Sequence, residues 1–188
     1  MVLSAPSAPD AGDTSSRHDV AVTHHRPPPP RGSGDGWVTL SSGRVKWGLF
    51  GAAGMLLRHE DSLLLARRSE WVHGGNGQWS VPGGAIDKDE LPVDAALREF
   101  DEEIGALPRG LRVVGSHTVV IEPGVWSYHT CCAIVDERPT YTELGTTEND
   151  EARWWELSEL DSIPLFPPFA EALPHLLRIY EVADGGEL

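Results

Sequence analysis

The chain has 188 residues and a formal net charge of -14, a length that suits one domain with its own core and a terminal tail. Duplex nucleic acids are bound through clustered Lys and Arg, so the acidic balance argues against a DNA- or RNA-binding surface. No apolar run is long enough for a membrane span, and the N-terminus lacks the pattern of a secretory signal. We therefore expect a cytoplasmic protein. The acidic charge does not exclude a phosphorylated small molecule as ligand, because a bound divalent cation can supply the missing positive charge.

The first 36 residues differ in composition from the rest of the chain. They are rich in Ala, Ser, Pro, Asp and Gly and contain a polyproline run at residues 27–30. Such a segment has too little apolar surface to offset the entropy lost on ordering. The composition predicts a disordered tail over residues 1–36 and a folded domain over residues 37–188.

Apolar and β-prone runs along the domain predict strands at residues 47–57, 62–66, 79–81, 112–122, 125–135 and 153–155. Between the two longest runs, Pro123 and Gly124 have the residue types of a type II turn, so these runs form a hairpin. Helices are predicted at residues 92–104 and 169–182, the second interrupted or bent by Pro174. Strands and helices mix without βαβ alternation, which favours an α+β class with a mixed sheet and helices packed on it.

The helix over residues 92–104 carries several acids close together. Pro92 suits its first turn and Gly105 suits the residue after its end. At about 100° per residue, Glu99, Glu102 and Glu103 share an arc beside the apolar stripe, and Asp101 points the other way.

Carboxylates in such an arc repel one another and raise one another's pKa. The helix C-terminus, already negative by its dipole, increases the cost. A bound cation would compensate it, and all-oxygen ligands favour Mg²⁺ or Mn²⁺. Taken alone, a Glu-Xaa-Xaa-Glu-Glu run is also compatible with a solvated acidic face.

The residues around the acids narrow this choice. From Gly84 the sequence runs through five residues to Glu90 and seven more to Arg98-Glu99-Phe100-Asp101-Glu102-Glu103-Ile104-Gly105-Ala106. This run resembles the full Nudix signature, and all seven of its fixed positions are met. Only Ala106 departs mildly, at a position that usually holds a bulky aliphatic residue. In element order the resemblance extends over roughly residues 47–177.

The resemblance implies an α/β/α sandwich of the Nudix type, with a mixed β-sheet between helices and a loop–helix–loop catalytic motif. Arg98 and Glu90 would form the buried pair that anchors the loop to the helix, and removing either would strand the other. Together with Glu99, these two are the expected catalytic residues. The expected metal ligands, for Mg²⁺ or Mn²⁺, are Glu99, Glu102, Glu103 and the carbonyl of Gly83.

The implied reaction is metal-dependent hydrolysis of a pyrophosphate bond in a nucleoside diphosphate linked to another moiety, as in housecleaning nucleotide pyrophosphatases. Bound ions would neutralise phosphate oxygens and lower the pKa of the attacking water. The general base is either Glu99 or an acid outside the signature. The outside candidates are Glu148, Asp150 and Glu151. A diphosphate other than a nucleotide is an alternative substrate. Many family members dimerise, so the resemblance also leaves a homodimer as a possibility.

Substrate contacts are expected outside the signature. Arg67 and Arg68 follow the second strand, and Arg suits bidentate phosphate binding; Arg68 is preferred, with a surface salt bridge as the alternative for either. Aromatic residues could stack on a base, although each is more often a core residue. The aromatic candidates are Trp79, Trp126, Tyr128, Phe166 and Phe169.

Two other functions stay open because fold does not fix function. The first is a catalytically weak nucleotide-binding Nudix sensor. Such modules often lose an acid and gain a regulatory domain, whereas here every acid is present. The second is a prenyl-diphosphate enzyme or isomerase on the same scaffold, which would use Cys or His in the pocket. His129, Cys131 and Cys132 lie on one predicted strand and keep this second function open.

Overall fold

The structure is a computed structural model that describes residues 32–70, 72 and 74–186. Most of the predicted tail, residues 1–31, lies outside the described residues. Its last five residues, 32–36, are joined to the domain by hydrogen bonds: the Gly34 N–H donates to Asp87 Oδ1 at 2.6 Å, and the Gly36 carbonyl accepts from the Gly48 N–H at 2.8 Å. Folded structure is therefore present ahead of the predicted boundary at Trp37.

The described residues form nine strands, two α-helices and a 3₁₀ helix. The strands are β1 Trp37–Thr39, β2 Val45–Trp47, β3 Ala52–His59, β4 Ser62–Arg68, β5 Trp79–Ser80, β6 Gly83–Ala85, β7 Arg112–Glu122, β8 Trp126–Ile134 and β9 Asn149–Glu156. The helices are α1 Pro92–Glu103 and α2 Pro167–Ala183, and the 3₁₀ helix is Leu157–Ser162. None of the helices in the described residues is long and apolar enough to cross a membrane.

Seven strands form one mixed sheet in which β5, β4, β3, β8 and β7 are neighbours in that order, β6 also pairs with β3, and β9 also pairs with β4. The pairing of β3 with β8 is parallel and the other pairings are antiparallel. A separate two-stranded hairpin, β1–β2, precedes the sheet. The predicted mixed sheet with helices packed on it is confirmed.

Both faces of the central strands are covered. On one face, Met55 and Leu57 of β3 pack under Phe100 of α1, and on the other Leu56 packs in the cluster with Leu176 of α2. Strands buried on both sides read as continuous apolar runs, which is why β3 and β4 were predictable without alternation. The result is a helix–sheet–helix sandwich with one core on each side of the sheet.

Three local differences from the sequence analysis have physical causes. The strand predicted from residue 47 begins only at Ala52, because Gly48 and Gly51 take left-handed φ values of 103° and 95° and break the run. Strand β6 lies where no strand was predicted, since Gly83 and Gly84 carry no side chain that signals a strand. Strand β9 starts at Asn149, four residues early, because pairing with β4 recruits acidic residues that have little strand preference of their own.

Candidate active site

The acidic face of α1 forms one wall of a cavity of about 790 Å³. Other walls come from β6, the end of β4 and the chain just before β9. The predicted site residues that line it are Arg68, Gly83, Arg98, Glu99, Glu102, Glu103 and Glu148. Its size falls within the range of about 300–1,000 Å³ that is usual for small-molecule sites.

The four acids in the C-terminal half of α1 differ in how far they are buried. The Glu99 side chain is 14% exposed and Glu103 is 5% exposed, whereas the Glu102 side chain is 56% exposed. Asp101 is exposed and is not among the residues that line the cavity. Because the opposite stripe of α1 packs on the sheet through Ala96 and Phe100, the orientation of these acids is set by the core.

Arg98 connects the loop before α1 to the helix itself. Its Nε and Nη2 donate to the two oxygens of Glu90, at 3.0 and 2.9 Å, and Nη2 also donates to the Ala85 carbonyl at 2.9 Å. Its Nη1 donates to Glu99 Oε1 at 2.7 Å. The hydrogen bonds that Arg98 donates to Glu90 lower the pKa of Glu90 and raise the pKa of Arg98, so both groups are held in their charged forms.

Glu99 and Glu103 are acids in a setting that penalises their charge. Burial raises the pKa of Glu99 to about 7, although Arg98 opposes the shift. Burial, with the charges of Glu99 and Glu148, raises the pKa of Glu103 to about 8. Both bonds that Glu103 accepts converge on Oε2, from the Gly83 N–H at 2.9 Å and from Asn149 Nδ2 at 3.2 Å.

Two glycines let the backbone of β6 approach these acids. A Cβ atom on Gly84 would lie 2.4 Å from Glu99 Oε2, and a Cβ on Gly83 would lie 2.2 Å from the Ala53 carbonyl oxygen. A side chain at either position would therefore displace a carboxylate or separate β6 from β3.

The donor chemistry fits a hard divalent cation. Across the described ranges, no three His, Cys, Asp or Glu side chains gather closely enough to enclose an ion by themselves, and Glu102 Oε2 lies 3.4 Å from Arg98 Nη1. Mg²⁺ does not require such a cage, because it keeps several waters and is usually bound through one or two carboxylates and a substrate phosphate. Half-buried Glu99 and buried Glu103 supply that kind of partial site, and the hydrogen-bond donors to Glu103 are neutral.

The structure separates the two arginines. Arg68 lines the cavity; its Nε donates to the Gly74 carbonyl at 3.0 Å, and its guanidinium lies over the Phe166 ring at 5.4 Å. Arg67 does not line the cavity and lies opposite Glu151 on the neighbouring strand, with Nη2 3.8 Å from the carboxylate. The surroundings of Arg67 are therefore those of a surface salt bridge, the alternative to phosphate binding that the sequence left open.

The three candidate bases are separated in the same way. Glu148 lines the cavity, and its carbonyl accepts from the Ser69 N–H at 2.9 Å. Asp150 and Glu151 belong to β9 and are not among the lining residues. Of the acids outside the signature that the sequence singled out, Glu148 is therefore the one that can reach a ligand in this cavity.

None of the five aromatic residues that the sequence suggested lines the cavity. Trp79, Trp126 and Phe169 are core residues, and Phe166 lies beneath Arg68. The hydroxyl of Tyr128 lies in the interior, where burial raises its pKa.

Two other aromatic residues do line the cavity, Trp37 and Trp47. Sequence reasoning missed them because Trp37 stands at the edge of the tail and Trp47 was assigned to a buried strand. The available signal was the presence of two tryptophans close together between glycine-rich segments.

The cysteines and the histidine of β8 are also placed away from the cavity. Cys131 and Cys132 are buried in the two opposite cores, as expected for neighbours on a strand, and burial raises the pKa of each thiol. His129 is within hydrogen-bond distance of Thr118 and Ser127. Of the described residues that line the cavity, none is Cys or His, so the geometry gives no support to the prenyl-diphosphate alternative.

Comparison with known proteins gives matches over the same region. The NUDIX domain pattern matches residues 48–177. A Mycobacterium tuberculosis protein named "Putative 8-oxo-dGTP diphosphatase 3" is 37% identical over 155 residues, covering 78% of this chain and 70% of its own length.

Two further matches come from other bacteria. A Bifidobacterium longum protein named "Nucleoside triphosphate pyrophosphatase/Nudix hydrolase fusion protein" is 36% identical over 138 residues, which are 70% of this chain but 28% of that protein. The crystal structure of a Nudix hydrolase from M. smegmatis, RenU, is 35% identical, with a TM-score of 0.66 over 82% of this chain and 98% of that one.

Proposed function

Because the chain belongs to the Nudix hydrolase family, we propose that it hydrolyses a pyrophosphate bond in a nucleoside diphosphate linked to another moiety, with Mg²⁺ or Mn²⁺ as cofactor. The observation that carries the proposal is the acid pair of buried Glu103 and half-buried Glu99 on the wall of a cavity that Arg68 also lines. Two carboxylates with raised pKa values in a ligand-sized cavity are typical of a functional site rather than of a solvated helix face.

In this proposal the acids bind the metal ion and Arg68 binds the phosphate oxygens of the diphosphate. The cation would be held by Glu99, Glu102, Glu103 and the Gly83 carbonyl, where it would neutralise phosphate charge and lower the pKa of a bound water. Arg68 contributes a planar, permanently charged donor group. Its Nη atoms have no hydrogen-bond partner among the described residues, so they are available to phosphate oxygens.

The Arg98–Glu90 pair holds the acids in place. With Nε and Nη2 bound to Glu90, the Nη1 of Arg98 fixes one oxygen of Glu99. Removing Arg98 would release both the loop and the carboxylate. We therefore assign Arg98 and Glu90 as positioning residues, although the sequence analysis grouped them with the catalytic ones.

Glu148 is the proposed general base. It lines the cavity beside Glu99 and Glu103 and stands outside the hydrogen-bond network of Arg98. Glu99 is less suited, because one of its oxygens accepts from Arg98 and the carboxylate is also a proposed metal ligand. A base must come within hydrogen-bond reach of the attacking water, so the proposal places that water on the Glu148 side of the cavity.

The names of two relatives support the proposed substrate class. A protein named as an 8-oxo-dGTP diphosphatase and a fusion protein named in part as a nucleoside triphosphate pyrophosphatase are among the matches. We propose a housecleaning role on a nucleotide of this kind. The homodimer and the cytoplasmic location remain predictions.

The test is a panel of nucleotides, including 8-oxo-dGTP and nucleoside diphosphate derivatives, assayed with Mg²⁺, with Mn²⁺ and with chelator. Glu102→Gln is compared with Asp101→Asn, which changes an acid on the same helix that does not line the cavity. We expect metal-dependent release of a phosphorylated product, lost in Glu102→Gln and retained in Asp101→Asn. A folded wild type that binds nucleotide without turning it over would instead indicate the sensor function, and equal activity of the two variants would refute the metal assignment.

A further inference from the structure

We infer that Trp37 and Trp47 form a stacking platform for the nucleobase of the substrate, an inference that rests on the proposed nucleotide pyrophosphatase function. Both residues line the same cavity as Glu99 and Arg68. The two rings meet edge to face, with centroids 5.2 Å apart and planes at 72°. Trp37 is 50% exposed, and an exposed indole ring offers an aromatic surface on which a nucleobase can stack.

The hairpin that carries these rings is fastened to the sheet. Trp37 and Trp47 are direct cross-strand partners in β1 and β2, which places both rings on one face of the hairpin. The carbonyls of Trp47 and Gly48 both accept from Trp126 Nε1 at 3.1 Å. Leu40 adds a buried contact to the cluster around Trp126. The platform is therefore built on anchored backbone.

A chain of hydrogen bonds also connects the segment that leads into the hairpin with the acids. The Gly34 N–H donates to Asp87 Oδ1 at 2.6 Å, and the Asp87 N–H donates to Glu90 Oε2 at 2.9 Å. Glu90 in turn accepts from Arg98, which holds Glu99. The spacing between the stacking end and the phosphate end of the cavity is thus set by one continuous network.

The distribution of charge in the cavity indicates how the substrate is oriented. Of the described residues that line the cavity, Arg68 and Arg98 are the cationic ones, and both lie with the acids of α1. The hairpin end instead presents the two indoles, with Ser33 and Asp35 nearby in the chain. Phosphates are therefore placed toward Arg68, and the base is placed toward Trp37.

Trp37 is the residue to change, because it is 50% exposed and its removal leaves the core intact. The binding of GMP and of ribose 5-phosphate, which lacks a base, is measured by calorimetry with Mg²⁺ for the wild type, Trp37→Ala and Trp37→Phe. Val45→Ala is the matched control, since Val45 is exposed on the same hairpin but does not line the cavity. Neither probe requires turnover, so the result does not depend on hydrolysis.

We expect Trp37→Ala to weaken GMP binding by about 5- to 100-fold, in line with base–aromatic stacking elsewhere, and to leave ribose 5-phosphate binding unchanged. Trp37→Phe should recover most of the loss, and Val45→Ala should behave as wild type. Equal weakening of both ligands, or no weakening of either, would overturn the inference. Failure of the proposed function would be seen separately, as absent turnover of the nucleotide panel by the wild type.

Discussion

Replacing Glu103 with Gln should make the metal-free protein more stable while removing its response to metal. Glu103 is 5% exposed, and both hydrogen bonds that it accepts end on Oε2. The oxygen of a Gln amide can accept both bonds, and the amide NH₂ then takes the place of Oε1. The substitution thus removes the charge with little change in shape.

The size of the effect follows from the raised pKa. Glu103 has a pKa of about 8 in the folded protein against 4.5 for an ordinary Glu, so the folded state binds this proton more tightly than the unfolded chain does. For this group, stability is full below about pH 4.5 and is lost as the pH rises through about 8. Relative to low pH, the difference in the pKa of Glu103 between the folded and unfolded states therefore destabilises the fold by about 4 kcal/mol at pH 8, about 2 kcal/mol at pH 6 and about 1 kcal/mol at pH 5.

The assay is thermal unfolding of the wild type and Glu103→Gln between pH 5 and pH 8, with chelator and with Mg²⁺. At roughly 2–4 °C per kcal/mol for a domain of this size, Glu103→Gln should melt about 8–16 °C above the wild type at pH 8 in chelator, and the gap should shrink toward pH 5. Mg²⁺ should raise the melting temperature of the wild type more than that of the variant. Asp101→Asn, an exposed acid on the same helix, should show no such gap. A variant less stable than the wild type at pH 8 would refute the reasoning, since it would mean that the charge is already compensated without metal.

Two further substitutions test the proposed positioning and substrate-binding roles. Arg98→Lys cannot keep the two-point contact with Glu90. It should lower the free energy of unfolding by about 1–3 kcal/mol and kcat by roughly 10- to 100-fold. Urea titration measures the first effect and steady-state kinetics the second, and a wild-type kcat would contradict the positioning role. Arg68→Ala should raise both the KM for nucleotide and the inhibition constant of tripolyphosphate by roughly 10- to 100-fold. Arg67→Ala, which lies outside the cavity and faces Glu151, should change neither. The reverse ranking of these two variants in the same kinetic assay would show that the wrong arginine has been assigned.

The fold was predictable from sequence where its signals are local. The runs that became β3 and β4 are apolar because both faces of the sheet are covered, and the two long β-prone runs became the hairpin β7–β8. The arc of Glu99, Glu102 and Glu103 depended only on the period of an α-helix. β6 was not predictable, because the pairing of Gly83–Ala85 with β3 has no side-chain signal of its own.

The sequence by itself determined the acidic helix, the Arg98–Glu90 pair that the signature implied, and the family. Only the tertiary structure decided which neighbours of the helix share its cavity. Arg67 and Arg68 look alike in sequence, but adjacent strand residues face opposite sides, and a register shift between these two places Arg67 opposite Glu151 and Arg68 opposite Asn149. Trp37 lies more than sixty positions from Glu99, and strand pairing and hydrogen bonds bring the two into one cavity. The helical period determines which residues of one helix share a face. The residues that line the cavity opposite that helix are brought there by long-range strand pairing, which no local sequence pattern encodes.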